Sequence, residues 1–130
     1  MPKYYRGNYF KDYKKEYEEN RGWLVGHFMN CFRKTNAVEI KYWEFKEKEK
    51  INHEEKMQCN SIECTFILEG TIKGMIDKEK VILKAKDYVV IPPKVVNNFP
   101  QKILTKKARG ITIKAPSIPN DKITKKMFSS

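Results

Sequence analysis

The chain has 130 residues, enough for one domain that buries about two-thirds of its unfolded surface without a disulfide or metal staple. Its 27 Lys and Arg outnumber 16 Asp and Glu, and a formal charge of +11 attracts nucleic acid, lipid headgroups or phosphorylated small molecules. No apolar run reaches the roughly 20 residues of a membrane span, and three cysteines without a secretory signal favour the cytoplasm. Because the lysines are spread along the chain, a merely Lys-rich surface explains the charge equally well.

The N-terminal segment, residues 1–20, is polar with an aromatic stripe. Phe10, Tyr13 and Tyr17 recur at i, i+3 and i+7, which predicts a short amphipathic helix resting on the domain. The neighbouring tyrosines and basic residues could stack on bases. However, the sequence has no helix-turn-helix pattern, basic helix or aromatic RNA-binding strand motif, so nucleic acid is an improbable partner.

From Arg21 the pattern changes to short β-rich runs separated by turn signals. The runs are RGWLVGHFMNCF, AVEIKYWEF, IECTFILEG, TIKGMID, KVILKAKDYVVIPP and ARGITIKAP. Strands at intervals of about 8–12 residues predict an all-β sandwich or barrel, which we place at residues 21–118. Residues 119–130 form a tail that we expect to be mostly extended, either as a terminal strand or as a loosely attached arm.

Two motifs within these runs give the barrel a more specific form. Glu63 is followed by six residues and Gly70, and Lys86-Asp87 leads through a hydrophobic strand into Pro92. In this order and spacing, residues 37–115 resemble a small single-domain cupin, although Lys86 replaces the glycine that opens the second motif. The resemblance implies an all-β, double-stranded β-helix (jelly-roll) barrel. It also implies a homodimer, whose edge strands pair or exchange.

The resemblance fails at the metal-binding positions. Cupins generally hold a metal through two His and the Glu of the first motif and a His of the second. Here these positions fall on Met57, Cys59, Glu63 and Asn97, so one ligand in four remains. A thioether and a thiol suit Cu⁺ better than Mn²⁺ or Fe²⁺, and we predict no metal cofactor. His53 could act as a substitute ligand, although a solvated loop residue is the favoured interpretation.

The alternation of side chains along strands suggests a pocket. If the polar strand faces point inward, a set of polar residues lines a cavity suited to an anionic, ring-bearing ligand. This set is Lys41, Trp43, Glu63, Lys73, Asn97 and Lys114, with Met57 and Cys59 beside it. The competing interpretation is that these residues form the solvent face of an open sheet, since unpaired buried lysines are costly.

The sequence therefore predicts a metal-independent binding protein for an anionic small molecule such as a nucleotide or sugar phosphate. The alternative is a cupin-type isomerase, epimerase or lyase that uses Glu63 as acid or base, assisted by Cys59 or His53. A purely oligomeric or protein-interaction role is a third possibility. Cys64, on the face opposite Glu63, is predicted to lie in the core.

Overall fold

The computed structural model describes residues 3–47, 49, 51 and 54–124, apart from the side chains of residues 16–19. It contains helix α1 (Tyr9–Asn20), a 3-10 helix at Cys31–Arg33, and ten strands. The strands are β1 (Trp23–Val25), β2 (Glu39–Lys46), β3 (Lys56–Gln58), β4 (Ile62–Glu69), β5 (Thr71–Ile76), β6 (Glu79–Lys84), β7 (Tyr88–Ile91), β8 (Lys102–Ile103), β9 (Lys107–Ala115) and β10 (Lys122–Thr124). The predicted all-β fold with a short N-terminal helix is confirmed.

The strands form two antiparallel layers. One is a five-stranded sheet in the order β1-β2-β9-β4-β7. The other consists of β6-β5-β8 and β10-β3, and single bridges from Asn97 to Lys56 and to Ile76 connect its two parts. Strands that are distant in the sequence, such as β2 and β9, are therefore neighbours in the sheet. These two strands pair at eight positions.

The hydrophobic core fills one end of the space between the layers. Its buried members are Trp43, Ile67, Ile72, Phe99, Ile103 and Ala108. Gly110 makes this packing possible, because a Cβ there would overlap the indole of Trp43. The strands approach closely at this point, and the indole fills the space that a side chain would take.

Helix α1 covers the outer face of β2 through aromatic contacts. The rings of Tyr9 and Tyr13 lie 4.8 and 5.2 Å from that of Tyr42, which is buried. The predicted aromatic stripe is wrong at Phe10, which is exposed. The side chain of Tyr17 lies outside the described residues. Within the described part of the chain, no helix is long and apolar enough to cross a membrane.

The C-terminal tail is partly built into the fold. β10 pairs antiparallel with β3, so the terminal-strand alternative holds for residues 122–124, while residues 125–130 lie outside the described residues. Asp121 fixes this pairing, because its carboxylate accepts hydrogen bonds from the backbone N–H groups of Asn60 and Ser61 at 2.9–3.1 Å. These bonds hold the pKa of Asp121 below its ordinary value, although burial acts in the opposite direction.

Candidate functional site

The end of the interior opposite the core is polar, and strand register explains why. Lys114 on β9 is paired with Glu63 on β4 and with Glu39 on β2. In the next row on the same face, Lys41 is paired with Thr112. Directly paired residues of antiparallel strands share a face, and this face also carries buried Trp43, two residues after Lys41. The polar strand faces therefore point inward.

Strand β3 closes this end from the opposite layer. Lys56 and Gln58 are buried, and both approach Glu63, which is 5% exposed. Gln58 Nε2 donates a hydrogen bond to Glu63 Oε2 at 3.4 Å, and Lys56 Nζ lies 3.9 Å from Oε1. Lys114 Nζ lies 4.0 Å from Oε2. One carboxylate is therefore surrounded by three donors at long distances rather than by one tight partner.

The positions beside Glu63 differ by one residue from those expected. Because Lys56 and Gln58 point inward, Met57 lies on the opposite face of β3. Cys59 lies beyond the end of the strand, where its N–H donates to the carbonyl of Asp121. The placement of Met57 and Cys59 in the cavity is thus corrected. The turn between β3 and Glu63 is one residue longer than the cupin spacing that placed Met57 and Cys59 in the site. No feature of the sequence indicates the extra residue.

Asn97 belongs to the site but acts through a neighbour. Its side-chain Oδ1 accepts a hydrogen bond from Lys56 Nζ at 2.9 Å and from the N–H of Phe99 at 3.2 Å. Its backbone also exchanges two hydrogen bonds with that of Lys56, each 2.8 Å long. Asn97 therefore fixes the Lys56 ammonium beside Glu63.

The aromatic group at the site is a different tryptophan from the one expected. Trp43 belongs to the core, and its Nε1 donates a hydrogen bond to Thr112 Oγ1 at 3.0 Å. Trp23 on β1 takes the predicted place, since the ammonium groups of Lys41 and Lys114 lie 5.5 and 5.1 Å from its ring centroid. Both distances are within the range of a cation–π contact.

Two other expectations are resolved by position. Lys73 lies on the face of β5 opposite buried Ile72 and pairs with half-exposed Ile82, so it points away from the interior. Cys64 is half-buried on the outer face of β4 rather than in the core. His53 lies outside the described residues.

The charges around Glu63 are mostly positive. Burial has the largest effect on the pKa values of Lys41 and Lys56. The pKa of Lys41 is lowered to about 8, and that of Lys56 is also lowered. Arg21 and Lys122, both more exposed, add further positive charge, and burial followed by like charges lowers the pKa of Lys122 as well. We call the group of Lys41, Lys56, Lys114, Lys122, Arg21 and the Glu63 carboxylate the basic cluster. Glu54 acts on Lys122 from outside this group.

The basic cluster does not fit a metal ion. The side chains next to Glu63 are two ammonium groups and an amide, and ammonium groups repel a cation and offer it no lone pair. Among the described residues no group of three or more His, Cys, Asp or Glu is placed to hold a metal. We therefore assign no chemical step to a metal.

A separate polar group consists of Ser117, His27 and Glu39. His27 Nδ1 lies 2.6 Å from Ser117 Oγ, and the same hydroxyl lies 3.1 Å from Glu39 Oε1, so its one proton can go to either partner. The same Nδ1 lies 3.4 Å from Glu39 Oε1. These contacts join the segment after β1 to the segment after β9.

A surface cleft of about 400 Å³ lies elsewhere, between α1 and the end of β2. It is lined by Tyr13, Lys14, Glu44, Phe45, Lys46, Glu49 and Lys107. Its charged groups have both signs and stand on the surface, so it shows no preference for a ligand of one charge.

Comparison with known proteins identifies the fold. No family model and no curated protein matches the chain. Among solved structures, a cupin protein from Bacteroides fragilis gives a TM-score of 0.56 at 18% identity, over 64% of this chain and 69% of that one. A Klebsiella pneumoniae protein with a double-stranded β-helix domain gives 0.57 at 14% identity, over 78% and 79%. A variant of Streptomyces PAC13 with uridine gives 0.52 at 14% identity, over 69% and 78%.

These similarities establish the cupin, or double-stranded β-helix, fold for this chain. At such low identities they establish the fold alone, since one fold carries many functions.

Proposed function

We propose that this protein binds an anionic small molecule, such as a nucleotide or a sugar phosphate, in the basic cluster of its barrel and without a metal. The observation that carries the proposal is the charge of a largely buried site. Lys41, Lys56, Lys114 and Lys122 all interact with the buried carboxylate of Glu63, and Arg21 adds positive charge beside Lys41 and Lys122. Uncompensated buried charge is costly, and an anion between these groups would compensate it.

The chemistry of the donors favours a phosphate or carboxylate. Lysine ammonium groups act as point charges with three donors each, which suits an oxyanion contacted from several directions. Lys41 and Lys114 are partly exposed and Lys122 is exposed, so these groups lead from the solvent to Glu63. A nucleotide is one ligand of this class, and the PAC13 variant is a protein of the same fold described with uridine.

Isothermal titration calorimetry with inorganic phosphate and with uridine monophosphate tests the proposal. We expect binding by the natural chain and roughly 10- to 150-fold weaker binding by Lys114→Met, because a charge-assisted hydrogen bond contributes about 1.5–3 kcal/mol. Lys73→Met is the matched control, since Lys73 lies on the outer face of β5. Binding that Lys73→Met weakens as much as Lys114→Met does, or no binding of either anion, would contradict the proposal.

An enzyme remains the second candidate because Glu63 is a buried carboxylate at the centre of the site. Pac13 is described as a nucleoside dehydratase, and it matches this chain with a TM-score of 0.50. In this chain Glu63 would act as a base or acid toward a substrate held by the lysines. Glu63→Gln would then abolish turnover while an anionic substrate still binds.

We also propose that the protein forms a homodimer through the outer face of β4 and β7. The rings of Phe66 and Tyr88 stack there at 5.3 Å, and Leu68 and Val90 are exposed nearby. This face is apolar in a chain of charge +11, so two copies could meet there without bringing their surplus lysines together. Light scattering should find a dimer that Phe66→Lys converts to a monomer; a monomeric natural chain would contradict this.

A further inference from the structure

We propose that Lys41 is a nucleophilic amine that forms an imine with a carbonyl compound carrying a carboxylate or phosphate. This inference rests on the proposed function, because the basic cluster must first hold the anionic group of that compound. It goes beyond binding, since it assigns a covalent step to one lysine of the cluster.

The contacts of the lysines distinguish Lys41 from its neighbours. Lys56 Nζ donates a hydrogen bond to Asn97 and lies near Glu63, and Lys114 Nζ also lies 4.0 Å from Glu63. For Lys41, the described residues provide neither a carboxylate within 4.0 Å nor a hydrogen-bond acceptor, and its ammonium lies over the ring of Trp23. Its nitrogen is therefore available to a ligand.

The charges that face Lys41 favour its neutral, nucleophilic form. They come from Arg21, Lys114 and Lys122, which destabilise the ammonium, and from Glu63, which stabilises it. Burial has the largest effect and, with these charges, lowers the pKa to about 8. Roughly a tenth of Lys41 is then neutral at pH 7, against less than about a thousandth of an ordinary lysine. Burial beside other cations is a known means of activating a lysine amine.

The chemistry balances without another reactant. The lone pair of the neutral Lys41 nitrogen attacks the carbonyl carbon, a C–N bond forms, and the C=O π electrons move to oxygen. Transfer of a proton from nitrogen to that oxygen gives a carbinolamine. Loss of the hydroxyl group and the remaining nitrogen-bound proton as one water molecule then gives C=N. Water reverses the reaction, so the bond is transient unless it is reduced.

The role of the neighbouring cations is to place the carbonyl group. Lys114 lies over the same indole as Lys41, 5.1 Å from its centroid, and can hold a carboxylate or phosphate beside the amine. An α-keto acid has its carbonyl next to its carboxylate, so it is the smallest probe that places both groups in the cluster. A neutral ketone such as acetone lacks the anchoring group.

Reductive trapping tests the inference. The full chain is incubated at pH 7 with pyruvate and sodium cyanoborohydride, which reduces C=N to a stable secondary amine, and the modified lysines are mapped by peptide mass spectrometry. We expect Lys41 to be labelled at least about tenfold faster than any other lysine, because of its larger neutral fraction. Acetone lacks the anchoring carboxylate, so it should label Lys41 more slowly than pyruvate does. Label spread evenly over the surface lysines would overturn the proposal.

Two variants and one competitor separate this inference from the proposed function. Lys41→Arg keeps the positive charge and should lose the selective label, whereas Lys73→Arg on the outer face should keep it. Inorganic phosphate should slow the labelling of Lys41 by occupying the cluster. If phosphate binds in calorimetry but pyruvate leaves no selective label, the imine is wrong and anion binding stands. If phosphate neither binds nor protects, both fail.

Discussion

The two ends of the barrel interior are built from the same strands, but one end contains apolar side chains and the other contains charged ones. β2 contributes Trp43 to one end and Lys41 to the other, and β4 contributes Ile67 and Glu63 in the same way. The apolar end stabilises the fold by burying surface. The basic end buries charge, which opposes folding. The apolar end therefore supplies stability, and the basic end is where we propose that an anion binds.

The largest expected effect comes from truncating the apolar end. Phe99 is 1% exposed and packs among the other core side chains, so Phe99→Ala should lower the free energy of unfolding by about 3–5 kcal/mol. Ile82→Ala, at an exposed position of β6, should cost less than about 1 kcal/mol. Chemical denaturation measures both. Equal losses would show that the apolar end is not the stabilising core.

At the basic end, removing a side chain should raise the free energy of unfolding rather than lower it. Lys41→Met removes a desolvated ammonium surrounded by like charges, so it should raise the free energy of unfolding at pH 7 by roughly 1 kcal/mol. The same change should weaken the binding of phosphate by about tenfold, since one charged donor is lost. If Lys41→Met instead lowers the free energy of unfolding as much as a core truncation does, the basic end also stabilises the fold and the contrast between the two ends is wrong.

The pH dependence follows from the lowered pKa of Lys41. Between about pH 8 and its ordinary pKa near 10.5, the unfolded chain holds a proton that the folded chain has released. The contribution of Lys41 to the free energy of unfolding therefore rises with pH across this window. Denaturation curves should show the rise in the natural chain and a smaller one in Lys41→Met. Phosphate affinity should change in the opposite direction, because it requires the ammonium form.

The smallest expected effect lies in a turn outside both ends. Lys86 has φ = 81°, in the left-handed region that favours glycine, and it stands where the second motif would begin with glycine. Lys86→Gly should stabilise the fold by up to about 1 kcal/mol without changing phosphate affinity. Thermal denaturation and calorimetry measure the two. A change in phosphate affinity would show that this turn influences the basic cluster.

Much of the fold could be predicted from the sequence because it depends on local patterns. Alternation around Glu63, the turn at Gly70 and the strand before Pro92 each reflect side chains or backbone conformations of a few neighbouring residues. Within the site, the same alternation grouped Lys41 and Lys114 with Glu63 on one face but left open whether that face points inward, which strand pairing decides. The aromatic helix and the described part of the tail were predicted only in outline, because their contacts are with distant strands.

The remainder of the site depended on tertiary structure. The inward pair on β3 is Lys56 and Gln58 rather than Met57 and Cys59, because a shift of one residue in a strand exchanges its two faces. Trp23, not Trp43, lies beside the lysines, since the position of each along the barrel depends on strand pairing. The sequence by itself determined a basic, all-β barrel. Only long-range pairing decided which charges surround Glu63, because these residues come from β2, β3, β9 and β10.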